Sequence, residues 1–205
     1  MSRVGEPWQQ GLEADPCKVR PFHPQAIVLN PSLPGTALPS AQALPPDFSQ
    51  SQFRHALGQF ATGVTVVTAL NPQGGLLGLT VSSFNSVSLA PPLVLWSLAH
   101  KSGSMEALLA CKHYVINVLG AGQTELANQF ATKGIDRFAG VHWSPGLHGA
   151  PVIHGAVATF ECFNRSRHDE GDHIIFVGEV ERCSHREQAD PLLYHGGSFY
   201  TGGLR

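Results

Sequence analysis

The hydrophobic pattern of this 205-residue chain is that of a protein built mainly from β-strands. β-branched and aromatic residues recur in short runs that often alternate with polar residues, and Gly, Pro and Asn separate the runs. Such runs are typical of strands, because a pleated strand sends successive side chains to opposite faces. The pattern predicts strands over residues 64–70, 76–81, 93–98, 113–119, 156–163, 173–182 and 192–200. The first two are predicted to form a hairpin.

Only short helices interrupt these strands. Phe53, Leu57 and Phe60 recur at helical spacing and predict a helix that buries one face and ends near Gly63. Its N-cap is expected among three side chains that can accept hydrogen bonds from helix N–H groups: Asp47, Ser49 or Ser51. Two further short helices are predicted, over residues 105–109 and 123–131.

Seven strands with no regular βαβ alternation predict an antiparallel arrangement rather than a doubly wound sheet. The expected fold class is therefore mainly β with short helices, in a closed antiparallel β-barrel, which leaves no exposed strand edges. This domain is predicted over residues 47–205. Residues 1–46 hold nine of the fifteen prolines and are predicted to be an extended or disordered arm, because proline removes backbone donors.

Composition and charge exclude several classes of partner. The formal net charge is −2 and the charged residues are scattered, so neither nucleic acid nor an anionic membrane is an expected partner. No apolar run has the roughly 18 residues of a membrane span, and none follows Arg3 as a signal peptide would. Four widely spaced cysteines predict free thiols in a cytoplasmic protein: Cys17, Cys111, Cys162 and Cys183.

Residues 78–98, GLTVSSFNSVSLAPPLVLWSL, combine many hydroxyl groups with an apolar, strand-prone background. Short hydroxyl side chains and nearby backbone N–H groups suit a groove that holds a flat, largely apolar ligand with polar edges. The alternative is a strand end followed by a serine-rich turn.

A second segment, residues 168–173, is rich in possible metal ligands, with His168, Asp169, Glu170, Asp172 and His173 within six positions. It lacks the spacing of known zinc motifs and lies in a predicted loop that enters a strand. We therefore expect a solvated charged turn and no bound metal. The remaining histidines are dispersed and suggest no site.

Seven ordered segments together resemble the flavin reductase family over nearly all of residues 53–203. They are FRHALGQFATGVTVVTA, GLTVSSFNSVSLAPPLVLWSL, YVINVLGAGQTELANQFA, DRFAG, GAPVIHGAVATFEC, GDHIIFVGEV and PLLYHGGSFY. The resemblance implies an FMN-binding split barrel, normally a homodimer with flavin near the subunit interface. It also implies an oxidoreductase that uses NADH or NADPH to reduce FMN or FAD, and that supplies reduced flavin to a partner monooxygenase or halogenase.

The resemblance also implies which residues bind the cofactors. The flavin ring and ribityl chain would be lined by Thr80, Val81, Ser82 and Ser83, with Thr65 and Ser97 as neighbours. The dinucleotide would be bound by Gly171, Asp172 and His173, and the Asp172 carboxylate can orient the His173 imidazole. No catalytic side chain is expected, because hydride passes directly between the cofactors.

The phosphate site has a rationale of its own. Lys101, Ser102 and Ser104 precede a predicted helix, whose N-terminal N–H groups attract anions, although simple helix capping explains the serines equally well. Phe130 and Tyr200 either cover a cofactor face or belong to the core. Two other functions stay open: an oxidase or oxygenase that retains its flavin, and a non-catalytic flavin- or haem-binding module.

Overall fold

The computed structural model describes residues 43–201, so most of the predicted arm lies outside the described residues. The helices are α1 Gln50–Gly58, α2 Met105–Ala110 and α3 Thr124–Ala131, with a 3-10 turn at Ala121–Gln123. The strands are β1 Thr62–Gly63, β2 Thr65–Leu70, β3 Leu76–Val81, β4 Asn85–Leu89, β5 Pro92–Ala99, β6 His113–Val118, β7 Trp143–Pro145, β8 Pro151–Ile153, β9 Ala158–Glu170, β10 His173–His185, β11 Leu193–His195 and β12 Ser198–Tyr200. Within residues 43–201, no helix is both long and apolar enough to cross a membrane.

The strands pair antiparallel throughout. Seven form the main sheet in the order β3-β2-β6-β9-β10-β5-β4, and two small sheets have the orders β1-β11-β12 and β7-β8. The prediction of a mainly β, antiparallel fold with short helices is confirmed. The predicted hairpin is also present, with Leu70 paired to Leu76 at its end.

The main sheet curls around one core. Four strands separate β3, which carries Leu79, from β5, which carries Trp96, yet both residues belong to the same buried cluster. Side-chain bonds join these two sides: Ser83 Oγ, just after β3, accepts from Ser97 N and donates to Ser97 O on β5. The curled sheet is therefore closed at this point by serine contacts, as a split barrel, rather than by a continuous ladder.

Aromatic rings fill the barrel interior. Trp96 is fully buried, stacks on Phe176 with ring centroids 4.4 Å apart, and meets Tyr114 edge-on at 5.7 Å. Gly178 allows this packing, because a Cβ there would stand 2.3 Å from the Tyr114 hydroxyl oxygen. Burial raises the pKa of Tyr114 far above its usual value, which keeps the phenol neutral.

A second cluster lies between the sheet and α3 and includes Val66, Leu119, Phe130 and Leu192. Phe130 is fully buried there, so it belongs to the core rather than to a cofactor face. Its ring packs against β3 at Gly78, where a Cβ would approach within 2.2 Å of the ring. The absence of a side chain at Gly78 thus lets α3 lie close to β3.

Helix α1 begins as predicted but buries nothing. Ser49 is the N-cap and forms a capping box with Gln52. The prediction that Phe53, Leu57 and Phe60 bury one face is wrong for the described chain, in which Phe53 is 49% exposed and Leu57 57% exposed. The helical periodicity was real, but no other described element covers this face.

The strands differ from the predicted pattern in extent. β9 and β10 are thirteen residues each and continue to a two-residue turn at Gly171 and Asp172. The prediction of a loop at residues 168–170 is therefore wrong. Helix α1 ends at Gly58 rather than near Gly63, and the unpredicted strand β1 follows it. Strands β4, β7 and β8 were also not predicted, and the strand predicted over residues 192–200 is the hairpin β11-β12.

The three cysteines among the described residues are free thiols, as predicted, while Cys17 lies outside the described residues. Burial raises the pKa of Cys111, and raises the pKa of Cys162 to about 12. Since the thiolate is the reactive form, both buried thiols are chemically inert at neutral pH.

Candidate functional site

The end of β3 forms one wall of a cavity of about 380 Å³, which we call the strand-end cavity. Three of the residues predicted to bind flavin lie in this wall, Thr80, Val81 and Ser82. The rest of the lining comes from the residue before β2, from α3 and from the β11-β12 hairpin. These residues are Val64, then Asn128 and Ala131, then Tyr194, Gly197 and Phe199. Apolar and aromatic walls with a few polar groups are typical of sites for flat organic ligands.

Alternation along β3 explains how its end presents these groups. Leu79 and Val81 point into the buried core, so Thr80 between them points to the opposite face, towards α3. There the Thr80 hydroxyl donates to the carbonyl of Ala127 at 2.7 Å. Because a hydroxyl has two lone pairs, its oxygen can still accept a hydrogen bond from a ligand.

The hydroxyls of Thr65 and Ser83 are placed differently from those of the cavity wall, and Ser97, on β5, contacts Ser83 through its backbone. Thr65 is 2% exposed and donates to the Val81 carbonyl at 3.0 Å. Ser83 bonds the backbone of Ser97, as described above, at 3.1 and 2.9 Å. In this single chain, Thr65 and Ser83 therefore fix the position of the strands around the cavity.

A second cavity of about 420 Å³ lies at the other end of β3, and we call it the arginine cavity. Its lining includes Gly78, Ser104 and Arg137. Arg137 is held in place because its Nη1 donates to Gly78 O and its Nε donates to Thr132 O, both at 2.8 Å. A fixed guanidinium beside a serine suits an anionic group such as a phosphate.

Sequence analysis missed Arg137 as a site residue, although it stands in the segment DRFAG. The only local signal was Asp136, whose carboxylate accepts from the N–H of Phe138 at 2.9 Å and shapes the turn. The contact between Arg137 and Gly78 spans 59 positions along the chain, and no local pattern reveals it.

The predicted phosphate residues lie between β5 and α2. Ser102 Oγ accepts from Ser104 N at 3.3 Å, so this serine stabilises the turn, while the Ser104 side chain makes no capping bond. Helix α2 has only six residues, so its dipole is that of a single short helix. Of the three predicted phosphate residues, Ser104 lines the arginine cavity, whereas Lys101 and Ser102 do not.

The Gly171-Asp172 turn lies beside the end of β5. Gly171 adopts a φ of +63°, which glycine reaches without strain in two-residue hairpin turns. The carbonyl of Asp172 accepts from His100 N at 3.0 Å, next to Lys101. The structure thus brings the predicted dinucleotide segment next to the predicted phosphate segment, although neither cavity described above is lined by this turn.

Asp172 orients the ring of His173, as the sequence suggested. Asp172 Oδ1 lies 2.6 Å from His173 Nδ1, and both side chains are exposed. The hydrogen bond from the imidazole, with its charge, holds the pKa of Asp172 below its usual value. The other ring nitrogen, Nε2, is the one left to meet a ligand.

The possible metal ligands at residues 168–173 do not converge. His168, Asp169 and Glu170 belong to strand β9, so successive side chains point to opposite faces. Asp169 instead pairs with His100 at 3.0 Å. This geometry favours the interpretation of residues 168–173 as a hairpin end with charged side chains.

Comparison with known proteins identifies close relatives. The profile described as "Flavin reductase like domain" matches residues 57–203. An FMN reductase (NADH) of Agrobacterium fabrum is 47% identical over 147 residues, which cover 72% of this chain and 83% of that protein. The reductase subunit of a flavin-dependent monooxygenase of Mycobacterium tuberculosis is 40% identical, covering 73% and 80%.

Solved structures agree with this assignment. The NADH:FAD oxidoreductase of Streptomyces globisporus, in complex with NAD and FAD fragments, superimposes with a TM-score of 0.73 and 38% identity. The match covers 80% of this chain and 98% of that chain. The chain spans only 50% and 53% of the length of two other relatives, from Rhizobium meliloti and Sinorhizobium meliloti.

Proposed function

Since this chain belongs to the flavin reductase-like family, we propose that it is an NAD(P)H:flavin oxidoreductase that reduces FMN or FAD. One observation of the structure carries the proposal beyond the family match. Strand β3 lines both the strand-end cavity and the arginine cavity, so an apolar wall with hydroxyl groups and a pocket lined by Arg137, Ser104 and Asp136 lie along one strand. A flavin nucleotide combines a flat ring system with an anionic phosphate, and this donor set fits it.

The residues of this chain bind and orient rather than react. When bound, the nicotinamide supplies a hydride and the flavin accepts it. Hydroxyl and backbone N–H groups around Thr80 and Ser82 favour the anionic charge of the reduced ring by hydrogen bonding. Arg137 and Ser104 would hold the phosphate, and this contact would orient the ring relative to the wall. No described side chain has to gain or lose a proton for the transfer.

The names of the relatives support proposals for the electron donor, the flavin and the partner. The two relatives whose names specify a dinucleotide both use NADH, so we propose NADH as the preferred donor. One of them is named for FMN and the other for FAD, so the flavin can be either. Several relatives are reductase components of monooxygenases or of a halogenase, and we propose a partner of this kind for reduced flavin. A cytoplasmic location stays a prediction from the cysteine pattern.

Anaerobic titration of the purified protein tests these specificities. Absorbance and fluorescence titrations with FMN and FAD would give the two affinities, and rates with NADH and NADPH would give the donor preference. We expect binding of at least one flavin and faster oxidation of NADH. A folded protein that binds neither flavin and oxidises neither dinucleotide would reject the proposal.

His173 is the residue proposed to contact the dinucleotide, because its ring is oriented by Asp172 and exposed at a turn. Replacing it by alanine is expected to raise the KM for NADH roughly tenfold, about the loss of one hydrogen bond to a neutral group, with flavin affinity unchanged. The matched control is His168→Asn, on the same hairpin. Steady-state kinetics at saturating flavin measure both effects, and wild-type kinetics in the folded His173→Ala protein would remove this residue from the site.

The exposed apolar face of α1 supports a homodimer. Phe53 and Leu57 lie on α1, Phe48 and Phe60 lie just before and just after it, and all four are exposed in the described chain. Contiguous apolar surface of this kind is typical of protein interfaces. We therefore propose that a second copy covers this face and expect light scattering to give twice the chain mass, whereas a monomer with full reductase activity would contradict it.

A further inference from the structure

Three side chains that commonly bind metals converge on the sheet, and none of them belongs to the flavin or dinucleotide residues. The Nε2 atoms of His113 and His148 lie 3.9 and 2.9 Å from the same oxygen, Oε2 of Glu181. One ligand atom from each residue lies within 4.8 Å of the other two. Among residues 43–201, no other group of this kind is present.

The fold directs these groups to the outer face of the main sheet. His113 begins β6, and the next residue, Tyr114, is buried in the core, so His113 points outward. Glu181 lies on β10 where the ladder with β9 passes from Val180 directly to Arg182. This β-bulge leaves Glu181 without a cross-strand partner, and bulges commonly redirect a side chain in this way.

His148 comes from the turn between β7 and β8, which is tied to the sheet. The N–H of Leu147 donates to Glu161 Oε2 at 2.5 Å, and Arg182 donates to both oxygens of Glu161 at 2.5 and 2.9 Å. Gly149 permits the turn with a φ of +81°. These hydrogen bonds fix the backbone of the turn next to His148 relative to β9 and β10.

The group also has an open side. A cavity of about 280 Å³ is lined by His113 and His148, together with residues such as Lys112 and Ala150. The two imidazole rings stack with centroids 3.6 Å apart and planes 18° from parallel. One ring must therefore turn out of the stack for both Nε2 lone pairs to reach one ion, and the His148 side chain, which is 38% exposed, can make this rotation while the turn stays in place.

We propose that His113, His148 and Glu181 bind a divalent transition-metal ion of the Zn²⁺ type, with water in the fourth position. Two imidazoles and one carboxylate are a ligand set that Zn²⁺ accepts in tetrahedral geometry, with bonds of about 2.0–2.2 Å. The ion ties the turn that carries His148 to β6 and β10. This proposal departs from the sequence-based expectation of no bound metal, in which the dispersed histidines suggested no site. The group is not apparent in the sequence because its members are 33 to 68 positions apart.

Metal titration of the full chain, after treatment with a chelator, tests the proposal. We expect one equivalent of Zn²⁺ to bind by calorimetry and to raise the Tm, because an ion that binds only the folded state stabilises it. Bound Co²⁺ is expected to show the intense visible absorption of a tetrahedral site. His148→Asn and Glu181→Gln should each lower the affinity at least about tenfold, as even outer-layer changes do.

The matched control is His185→Asn, an exposed histidine on the same strand as Glu181, which should leave metal affinity unchanged. Absence of Zn²⁺ binding, unchanged affinity in both site variants, or an equal loss in the control would overturn the proposal. If a variant does not fold, NMR of the histidine rings in the wild-type protein shows which histidines bind the ion. Co²⁺ should then shift or broaden the ring signals of His113 and His148, and effects confined to other histidines would overturn the site.

Discussion

Replacing Trp96 by alanine is expected to lower the free energy of unfolding by about 3–5 kcal/mol, the range for large buried aromatic residues. Trp96 is fully buried, stacks on Phe176 and meets Tyr114 edge-on. Its removal leaves a cavity that these rings cannot fill, since each is held by its own strand. Urea denaturation followed by circular dichroism would measure the change.

The matched control for Trp96 is Leu89→Ala, because Leu89 is 92% exposed near the end of β4. Exposed substitutions of this kind usually change stability by no more than about 0.5 kcal/mol. A loss below about 1 kcal/mol in Trp96→Ala would contradict the account of one aromatic core inside the curled sheet.

Ser104→Ala and Arg137→Gln are each expected to weaken flavin binding by roughly ten- to a hundredfold. A hydrogen bond to a charged group contributes about 1.5–3 kcal/mol, and 1.4 kcal/mol corresponds to a factor of ten. Arg137 also donates to two backbone carbonyls, so its variant requires a check of folding by circular dichroism. Ser104 makes no capping bond, so its variant tests the phosphate site without that complication.

Lys133→Gln provides the matched control for the phosphate site. Lys133 is an exposed cation four positions before Arg137 but does not line the arginine cavity. We expect its flavin affinity to equal that of the wild type. If Ser104→Ala and Arg137→Gln bind flavin as tightly as the Lys133→Gln control does, the phosphate binds elsewhere.

Most of the fold follows from local patterns, because strand alternation and helix caps are local properties. The N-cap at Ser49 and the hairpin of β2 and β3 were predicted for this reason. Strand β4 was missed because Asn85–Leu89 is short, contains two serines and is mostly exposed, features that also fit a serine-rich turn. The burial of the apolar face of α1 was predicted wrongly, because residue spacing identifies an apolar stripe but not the element that packs on it.

The candidate site was predicted only in part, for a similar reason. The family resemblance pointed to Thr80, Val81 and Ser82, and because they follow one another at the end of one strand they lie together in one cavity wall. Arg137 reaches β3 through a contact across 59 positions, and only the fold creates that proximity. Thr65 was named as a neighbour of the flavin, but in the structure its hydroxyl donates to the carbonyl of Val81 on the strand that forms the wall.

Anaerobic stopped-flow mixing with NADH and excess free flavin tests the central claim most directly. A reductase that releases its product is expected to bleach many equivalents of flavin per chain, in proportion to the flavin added. Bleaching of one bound equivalent without turnover would indicate a flavoprotein that retains its cofactor. No bleaching by NADH or NADPH, with flavin bound and the fold intact, would contradict the proposed reductase activity.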